Sequence, residues 1–344
     1  MTDSITDVTI IGAGPTGLFG AFYAGMRGAT CRIIDALPAL GGQLMALYPE
    51  KFIFDVAGFP RVLAKDFVKG MAEQAQQFGC EVRLNETVAG LTKIDDPAGG
   101  IGHFKLDTDG ESYTTRTILI AAGIGAFEAR RLPVDGLETW EGRGLEYTVL
   151  DPKLFAGKRV LIVGGGDSAF DWVVNLEGVA KSVMLIHRRD GFRAHAATVR
   201  QVERMQLLGK CEVRTFSEVK AIEGGDQVER VTILNNKTRA EETLPFDAVI
   251  PQLGFHSDLG AIKAWGLDTE KADIKVDRVM RTNVPGIYAA GDIATYEGKL
   301  KLIATGVAEA CTAVNNAVHY IDPKRKVNPG HSSELKIFAT QQLG

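Results

Sequence analysis

A glycine-rich turn near the start of the chain has the residue types and spacing that bind a pyrophosphate. In a G-x-G-x-x-G pattern the first glycine permits a tight turn, the second lets a phosphate approach the backbone, and the third lets a helix pack closely on a strand. Asp35, 23 residues after the first glycine, is a carboxylate that can accept hydrogen bonds from a ribose. These residues predict a dinucleotide site. The turn, called here the first turn, consists of Gly12, Ala13, Gly14, Pro15, Thr16 and Gly17.

The same device recurs in the middle of the chain, with one chemical exchange. At the position equivalent to Asp35, again 23 residues after the first glycine, stands His187, followed by Arg188, Arg189 and then Arg193. A carboxylate would repel a 2′-phosphate, whereas guanidinium groups hold it through charge-assisted hydrogen bonds. This site is therefore predicted to bind NADP(H), although a solvated basic loop would show the same residues. The second turn consists of Gly164, Gly165, Gly166, Asp167, Ser168 and Ala169.

The carboxylate of the first site leaves NAD and FAD as candidates there. One chain with two dinucleotide sites of opposite 2′ preference is most simply a flavoprotein, with FAD in the first site and NADPH in the second. Two nicotinamides would have no obvious chemistry to share, whereas a flavin exchanges a hydride with a nicotinamide. The sequence therefore predicts FAD and NADP(H) as cofactors.

Each turn needs a strand before it and a helix after it, and the sequence supplies both elements twice. Apolar runs at Val8–Ile11 and Lys158–Val163 predict the strands that enter the turns. The runs at Thr30–Ile34 and Ser182–Ile186 predict the strands that lead to the acidic and basic positions. The predicted fold class is therefore α/β, with two Rossmann-like domains of three-layer ββα type.

Short β-like stretches between these units predict an antiparallel excursion in each half. After Pro285 the segment Gly286–Asp292 reads as a strand that enters a glycine turn and returns to the first domain. The predicted organisation is discontinuous: residues 1–122 with 288–344 form the FAD-binding domain, and residues 123–287 form the inserted NADP(H)-binding domain. The stretches are Cys80–Leu84, His103–Asp107 and Tyr113–Arg116 in the first half, and Glu212–Thr215, Val228–Asn235 and Glu242–Leu244 in the second.

Composition excludes several other classes of protein. With 39 basic and 43 acidic side chains, the net charge of −4 does not indicate a nucleic-acid partner. The longest apolar stretch, Thr117–Phe127, is about half of the ~20 residues that a membrane helix needs, and the N-terminus shows no export signal. The four cysteines form no C-x-x-C, so neither a disulfide scaffold nor a metal site is expected, and the predicted location is cytoplasmic.

Five segments together resemble the low-molecular-weight thioredoxin reductases, and the resemblance covers nearly the whole chain. Those enzymes carry a C-x-x-C just before the second glycine turn, where this chain reads GLEYTVLD without sulfur. Without a dithiol, electrons cannot be exchanged with a disulfide, so that activity is excluded. The five segments are Gly12–Gly17, Gly41–Leu44, Gly164–Ala169, His187–Arg193 and Tyr288–Asp292.

The segments Tyr48–Lys51, Asp55–Pro60, Lys301–Thr305 and Gly330–Ser333 resemble the thioredoxin-reductase-type ferredoxin–NADP⁺ reductases. In that family FAD is bound non-covalently, the enzyme is a homodimer, and the C-terminal extension of one subunit covers the flavin of the other. The resemblance therefore implies the same arrangement here.

The resemblance also implies roles for single residues. Tyr48 would stack on one flavin face and His331 would lie near the opposite face, with Ser333 touching FAD. The alternatives without a role at the cofactor are that Tyr48 is a core residue of an interface and that His331 belongs to a mobile tail. The further residues that would lie at FAD are Gln43, Leu44, Val88, Phe127, Asp292 and Thr305.

The implied activity is electron transfer between NADP(H) and ferredoxin, or flavodoxin, by way of a hydride to flavin N5 and then single electrons to an iron–sulfur partner. No acid–base catalyst is expected, because the protein contributes positioning and electrostatic tuning. Ferredoxins are typically acidic, so Lys299, Lys301 and the run 324–326 are candidates for docking. Two alternatives stay open: an NADPH diaphorase acting on quinones or flavins, and a flavin-bound redox sensor.

Overall fold

A computed structural model describes residues 5–125, 128–147, 151–256 and 259–334. Phe127 lies outside the described residues. The chain divides into two compact units: the first consists of Met1–Ala126 with Ser257–Gly344, and the second of Phe127–His256. The return to the first unit therefore comes 31 residues earlier than the predicted boundary at 288. The reason is packing, because Leu259 and Ile262 are buried in the same cluster as Ile34 and Ile120.

The first unit is built around a seven-stranded sheet. Its helices in residues 5–125 are α1 (Pro15–Met26), α2 (Gln43–Leu47) and α3 (Ala64–Gln76). The strands are β1 (Thr6–Ile11), β2 (Cys31–Asp35), β3 (Phe52–Ile53), β4 (Val62–Leu63), β5 (Glu81–Leu84), β6 (Val88–Ile94), β7 (His103–Thr108) and β8 (Ser112–Ile120). Six of them run in the order β5-β2-β1-β8-β7-β6, in which the first four are mutually parallel and β7 is antiparallel to both of its neighbours. The seventh strand, β20 (Ile287–Ala289), pairs in parallel with β8, and β3 and β4 pair with each other outside this sheet.

The buried centre of this sheet explains why the strands form where they do. Ile10 of β1 pairs with Ile33 on one side and Leu119 on the other, and all three are almost fully buried. Parallel strands covered on both faces need such apolar runs. Helix α1 packs close to them because it carries small residues; a methyl group on Gly20 would lie 3.0 Å from the Leu119 side chain.

The antiparallel pairing predicted for Cys80–Leu84 was wrong. This segment does contain a strand, β5, but the strand lies parallel to β2, with Ile33 paired to Val82. Helix α3 supplies the crossover that a parallel pair requires. The predicted strand Tyr113–Arg116 is part of a longer strand, β8, whose start pairs with β7 and whose end pairs with β1.

The second unit contains α4 (Asp167–Asn175) and α5 (Ala196–Leu207). The strands are β9 (Glu128–Ala129), β10 (Arg159–Gly164), β11 (Ser182–Ile186), β12 (Glu212–Arg214), β13 (Ser217–Gly224), β14 (Val228–Asn235), β15 (Glu241–Pro245), β16 (Ala248–Gln252) and β17 (Phe255–His256). The parallel sheet has the order β12-β11-β10-β16, and β13, β14 and β15 form an antiparallel meander. The prediction that placed Glu212–Thr215 in the meander was wrong, because β12 extends the parallel sheet after a helical crossover.

The returning segment completes the first unit. Strand β20 pairs in parallel with β8, and helix α6 packs against α1. No helix among the described residues is long and apolar enough to cross a membrane. The elements are β18 (Thr269–Glu270), β19 (Asp273–Lys275), β20 (Ile287–Ala289), β21 (Ala294–Thr295) and α6 (Ile303–Ile321), and the short 3-10 helices of the chain are Leu137–Trp140, Pro152–Phe155, Gly260–Trp265, Gly291–Ile293 and Ser332–Glu334.

Candidate functional site

The three glycines of the first turn are required for three different reasons. Gly12 adopts φ +110°, and a methyl group there would lie 2.4 Å from the Ala121 carbonyl oxygen. A methyl group on Gly17 would lie 1.9 Å from the Gly12 oxygen, so α1 can close on β1 only without a side chain. Gly14 is different, because a methyl group there would meet nothing within 4 Å. Two glycines thus serve packing, and the third leaves open backbone where a phosphate can approach.

Helix α1 begins at Pro15, directly after Gly14, and presents its N-terminus to that open space. No side chain caps the helix and its first turn carries no acidic residue, so the terminal N–H groups are available to an anion. Thr16 joins this turn to two other elements: a methyl group on Gly291 would lie 2.7 Å, and one on Gly306 2.4 Å, from its Oγ1. The first turn, the turn after β20 and the start of α6 therefore converge.

Asp35 is the last residue of β2, and its carboxylate is hydrogen-bonded to the first turn. Its Oδ2 accepts a hydrogen bond from the Ala13 N–H at 2.5 Å, and its Oδ1 accepts one from the Leu37 N–H at 2.8 Å. The residue is only 9% exposed. Burial raises the pKa of this carboxyl, although the two amide donors oppose the rise. The carboxylate oxygens have further lone pairs, which can accept hydroxyl groups of a ribose.

A second loop backs the first turn and brings other predicted residues to its edge. Gly41 N–H donates to the Ala13 oxygen at 2.8 Å, and the Gln43 Nε2 lies 2.9 Å from the position of a methyl group on Gly123. Tyr48 caps α2, and burial together with the charge of Asp292 raises the pKa of its phenol.

The remaining residues predicted at FAD differ in how far the structure supports a shared site. Leu44 is buried, and Val88 is buried at the start of β6 in the cluster that contains Ile34. Thr305 lies in the first turn of α6, half-buried. His331 is exposed, and the described contacts do not connect it to the first turn; Ser333 follows in an exposed 3-10 helix.

The second turn resembles the first in its close approach at the first glycine and its open third position, although Gly164 does not share the positive φ of Gly12. A methyl group on Gly164 would lie 2.4 Å from the Gln252 carbonyl oxygen, whereas one on Gly166 would meet nothing within 4 Å. Helix α4 begins at Asp167, whose Oδ1 accepts a hydrogen bond from the His195 N–H at 2.8 Å. Ser168 follows in the exposed first turn of the helix. This turn can therefore receive a second pyrophosphate.

The second turn also has a contact that the sequence reasoning missed. The imidazole of His187 lies over Gly165, so that a methyl group there would be 2.4 Å from the ring. The first turn has Ala13 at the equivalent position. The run of three consecutive glycines was the available signal. Burial, and secondarily the charges of neighbouring arginines, lower the pKa of His187, although a backbone hydrogen bond with Gly191 opposes them.

The arginines after His187 form a positive edge beside the second turn. Arg188, Arg189 and Arg193 are exposed, and no carboxylate within the described part of the chain pairs with them. Their loop is fixed by its backbone: the Arg193 N–H donates to the Gly165 oxygen at 2.7 Å, and the Asn236 amide donates to the Arg188 oxygen at 2.9 Å. The edge therefore has the charge and the free donors that a 2′-phosphate requires.

The structure corrects one assignment made for partner docking. Lys299 is not a surface residue, because its Nζ lies 2.6 Å from both carboxylate oxygens of Glu309 and the two side chains are 6% and 5% exposed. Lys301 is partly exposed and pairs with Asp273 at 2.9 Å. Nothing in the sequence pattern had marked Glu309, which lies among apolar residues of α6.

These two geometries agree with what comparison with known proteins finds. The family model described as pyridine nucleotide-disulphide oxidoreductase matches residues 6–316. The chain belongs to this family. The ferredoxin–NADP reductase of Halalkalibacterium halodurans is 52% identical over 97% of this chain and 98% of that protein. The ferredoxin–NADP reductase of Thermus thermophilus is 50% identical, with 96% and 97% covered. Both predictions, of family and of fold class, are confirmed.

Solved thioredoxin reductases show the same fold. The Lactococcus lactis enzyme matches with a TM-score of 0.75 and 27% identity, covering 92% of this chain and 99% of that one. The T. acidophilum enzyme matches with a TM-score of 0.74 and 27% identity, covering 93% and 99%. FAD and NADP(H), the cofactors of the family, fit two turns that each leave one glycine open and differ in the charge beside it.

Proposed function

We propose that this chain is a FAD-dependent ferredoxin–NADP⁺ reductase. The observation that carries the proposal is a contrast between the two glycine turns: the strand after the first leads to the buried carboxylate Asp35, and the strand after the second leads to His187 with a carboxylate-free arginine edge. Relatives named ferredoxin–NADP reductase, about half identical along nearly the whole chain, support the choice of electron partner.

In this proposal the first unit binds FAD. The open backbone at Gly14 and the N-terminus of α1 receive the pyrophosphate, and Asp35 accepts the ribose hydroxyls. Tyr48, which caps α2 and is partly buried against the core of the first unit, stacks on the flavin. The further residues proposed to line FAD are Gly12, Pro15, Thr16, Gly17, Gln43, Leu44, Val88, Phe127, Asp292 and Thr305.

The second unit binds NADP(H) in the same manner. The backbone at Gly166 and the N-terminus of α4 receive the pyrophosphate, and Gly164 allows the turn. Asp167 holds the loop through His195, and Ser168 lies at the helix terminus. The positive edge described above, with His187, receives the 2′-phosphate.

No proton donor or acceptor is needed from the protein. Bound FAD supplies the conversion between a hydride and single electrons. The residues of this chain orient the cofactor, hold its phosphates and set the charge around it. Tyr48 shields one face of the ring system. We assign His331 to the opposite face and a contact with FAD to Ser333, both contributed by the partner subunit of a homodimer.

The homodimer and the cellular location are part of the proposal. Cysteine use without paired motifs fits a reducing cytoplasm. Truncation tests a dimer in which each C-terminal tail covers the flavin of the other subunit. A chain truncated after residue 329 should still bind FAD but should release it faster. Light scattering of the full chain measures the subunit number, and a monomer would contradict the assignment of His331.

Cytochrome c reduction with NADPH separates the function from its rivals. We expect a rate that depends strongly on added ferredoxin, with ferredoxin stripped of its iron–sulfur cluster as the control. Equal rates with and without ferredoxin would identify a diaphorase acting on quinones or flavins. Negligible turnover of a protein that nevertheless binds FAD would identify a redox sensor. Flavodoxin in place of ferredoxin tests the second possible partner.

A further inference from the structure

A buried cluster of ionised groups lies beside the turn that carries Asp292, and the reaction described above does not use it. Glu309 on α6 accepts three kinds of hydrogen bond: from the Gly291 N–H at 2.8 Å, from the Tyr296 hydroxyl at 2.6 Å and from the Lys299 ammonium at 2.6 Å. Its side chain and that of Lys299 are almost completely buried. The Glu309 carboxylate thus accepts hydrogen bonds from a backbone amide, a hydroxyl group and an ammonium group.

The cluster acts on Asp292 through the backbone. Gly291 adopts φ +79°, and Thr16 occupies the space where a side chain on Gly291 would project. The turn is therefore held from two sides, by Thr16 of the first turn and by the Glu309 carboxylate on the Gly291 amide. The next residue is Asp292, whose charge adds to the effect of burial in raising the pKa of the Tyr48 phenol. The contacts on Gly291 therefore fix the backbone from which the Asp292 side chain projects.

The charges of the cluster also reach Asp292. Burial raises the pKa of the Asp292 carboxyl, Lys301 and Lys299 oppose the rise, and Glu309 adds to it. A buried ion pair contributes little net stability over an apolar pair of the same shape, but removing one partner leaves an uncompensated charge in a medium of low dielectric constant. Removing either partner therefore changes the potential at Asp292, and the two removals change it in opposite directions.

We propose that Glu309 and Lys299 are positioning residues for the flavin: Glu309 fixes the Gly291 amide and hence Asp292, and Lys299 balances its charge so that the turn presents one carboxylate to the cofactor. This inference rests on the proposed FAD site of the first unit. It assigns the pair to the tuning of the flavin potential, and it removes Lys299 from the surface that receives the electron partner.

The test measures the FAD dissociation constant and the midpoint potential of bound FAD in the full-length protein. Glu309→Gln keeps an acceptor for the Gly291 N–H and removes one negative charge, so reduced, anionic flavin is favoured and the potential rises. Lys299→Met removes the positive charge, so the potential falls. We expect a tenfold change in the relative affinity for reduced and oxidised FAD in each case, which corresponds to ~30 mV for a two-electron couple.

The double variant, Glu309→Gln with Lys299→Met, restores the charge balance and should return the potential close to that of the unsubstituted protein. Glu241→Gln is the matched control, because it breaks the exposed Lys220–Glu241 pair of the second unit. If Glu309→Gln does not fold, Lys299→Met and the double variant still decide the question.

Shifts of the same sign in both single variants, or no shift, would overturn the proposal, because purely structural damage loosens FAD binding without opposite effects on the potential. The measurement needs no ferredoxin. A protein that holds FAD with these shifts but fails to reduce ferredoxin would contradict the proposed function alone.

Discussion

The two glycine turns of this chain occupy equivalent places between a strand and a helix, but they differ at a linked pair of positions. In the first turn Ala13 donates its N–H to the Asp35 carboxylate. In the second turn the equivalent residue is Gly165, and the imidazole of His187 fills the space of the missing side chain. The end of the second strand and the second residue of the turn therefore change together. At Ala13 the Asp35 carboxylate contacts only the backbone N–H, so a side chain is tolerated there. The His187 ring occupies the place of a side chain, so the residue beside it must be glycine.

The comparison suggests a rule for cofactor choice that can be tested. Gly14 and Gly166 are open in the same way, so we expect both units to bind a pyrophosphate at this position. In the proposed function, discrimination lies at one edge of each turn, where a buried acid in one unit is replaced by exposed arginines in the other. Selectivity between cofactors should thus be separable from affinity for their phosphates.

The largest expected effect comes from the sixth position of the turn, which is Gly17 in the first unit and Ala169 in the second. A methyl group on Gly17 would lie 1.9 Å from the Gly12 oxygen, so Gly17→Ala should destabilise the first unit by about 3 kcal/mol and abolish FAD retention. Ala169→Gly, the reverse change, should cost about 1 kcal/mol from helix propensity alone. Thermal unfolding and the FAD content of the purified protein measure both. Full FAD content in Gly17→Ala would show that the helix can move away without loss.

The next effect concerns the arginine edge. Arg188→Glu with Arg189→Glu should raise the Michaelis constant for NADPH at least ~100-fold, because each charge-assisted hydrogen bond contributes about 1.5–3 kcal/mol. The constant for NADH should change little. Arg230→Glu, at an exposed arginine that pairs with Glu223, is the control for a general effect of charge. Equal increases for both nucleotides would mean that the arginines do not contact the 2′-phosphate.

The local parts of this arrangement could be predicted from the sequence, and the long-range parts could not. Strand, glycine turn and helix follow from patterns within 25 residues, and so did the acid and the arginines. The parallel pairings of β5 with β2 and of β12 with β11 were missed. The sequence of a short strand does not indicate which strand a helical crossover will place beside it. The pairing of Lys299 with Glu309 was missed because burial of a lysine depends on packing between α6 and the turn before it.

A smaller effect is expected at the second position of the turn. Gly165→Ala should displace the His187 ring and weaken NADPH binding about tenfold, since the imidazole holds the start of the arginine loop. Ala13→Gly, the reciprocal change, removes no hydrogen bond to Asp35 and should leave FAD binding nearly unchanged. Nucleotide titrations followed by flavin absorbance compare the two. A silent Gly165→Ala would mean that the ring has another position with equal binding.

The smallest expected effect is on the pH dependence of stability, to which Asp35 of the first unit and His187 of the second should contribute in opposite directions. The folded pKa of Asp35 lies above its ordinary value of 3.8, so the folded protein binds that proton more tightly than the unfolded chain. The contribution of Asp35 to stability therefore falls as pH rises through the window above 3.8. The folded pKa of His187 lies below 6.5, so its contribution rises with pH up to 6.5 and is lost as pH falls through that window.

Carbon NMR titration of labelled aspartate and histidine measures these two pKa values directly in the folded protein. Addition of 2′,5′-ADP should raise the pKa of His187, because a phosphate dianion beside the ring favours the imidazolium form, and 5′-AMP, which lacks the 2′-phosphate, is the matched control. Neither nucleotide should move the Asp35 titration if the acidic site is selective for FAD. A His187 pKa that responds equally to both nucleotides would place the 2′-phosphate away from the ring, and the arginines alone would then account for the selectivity.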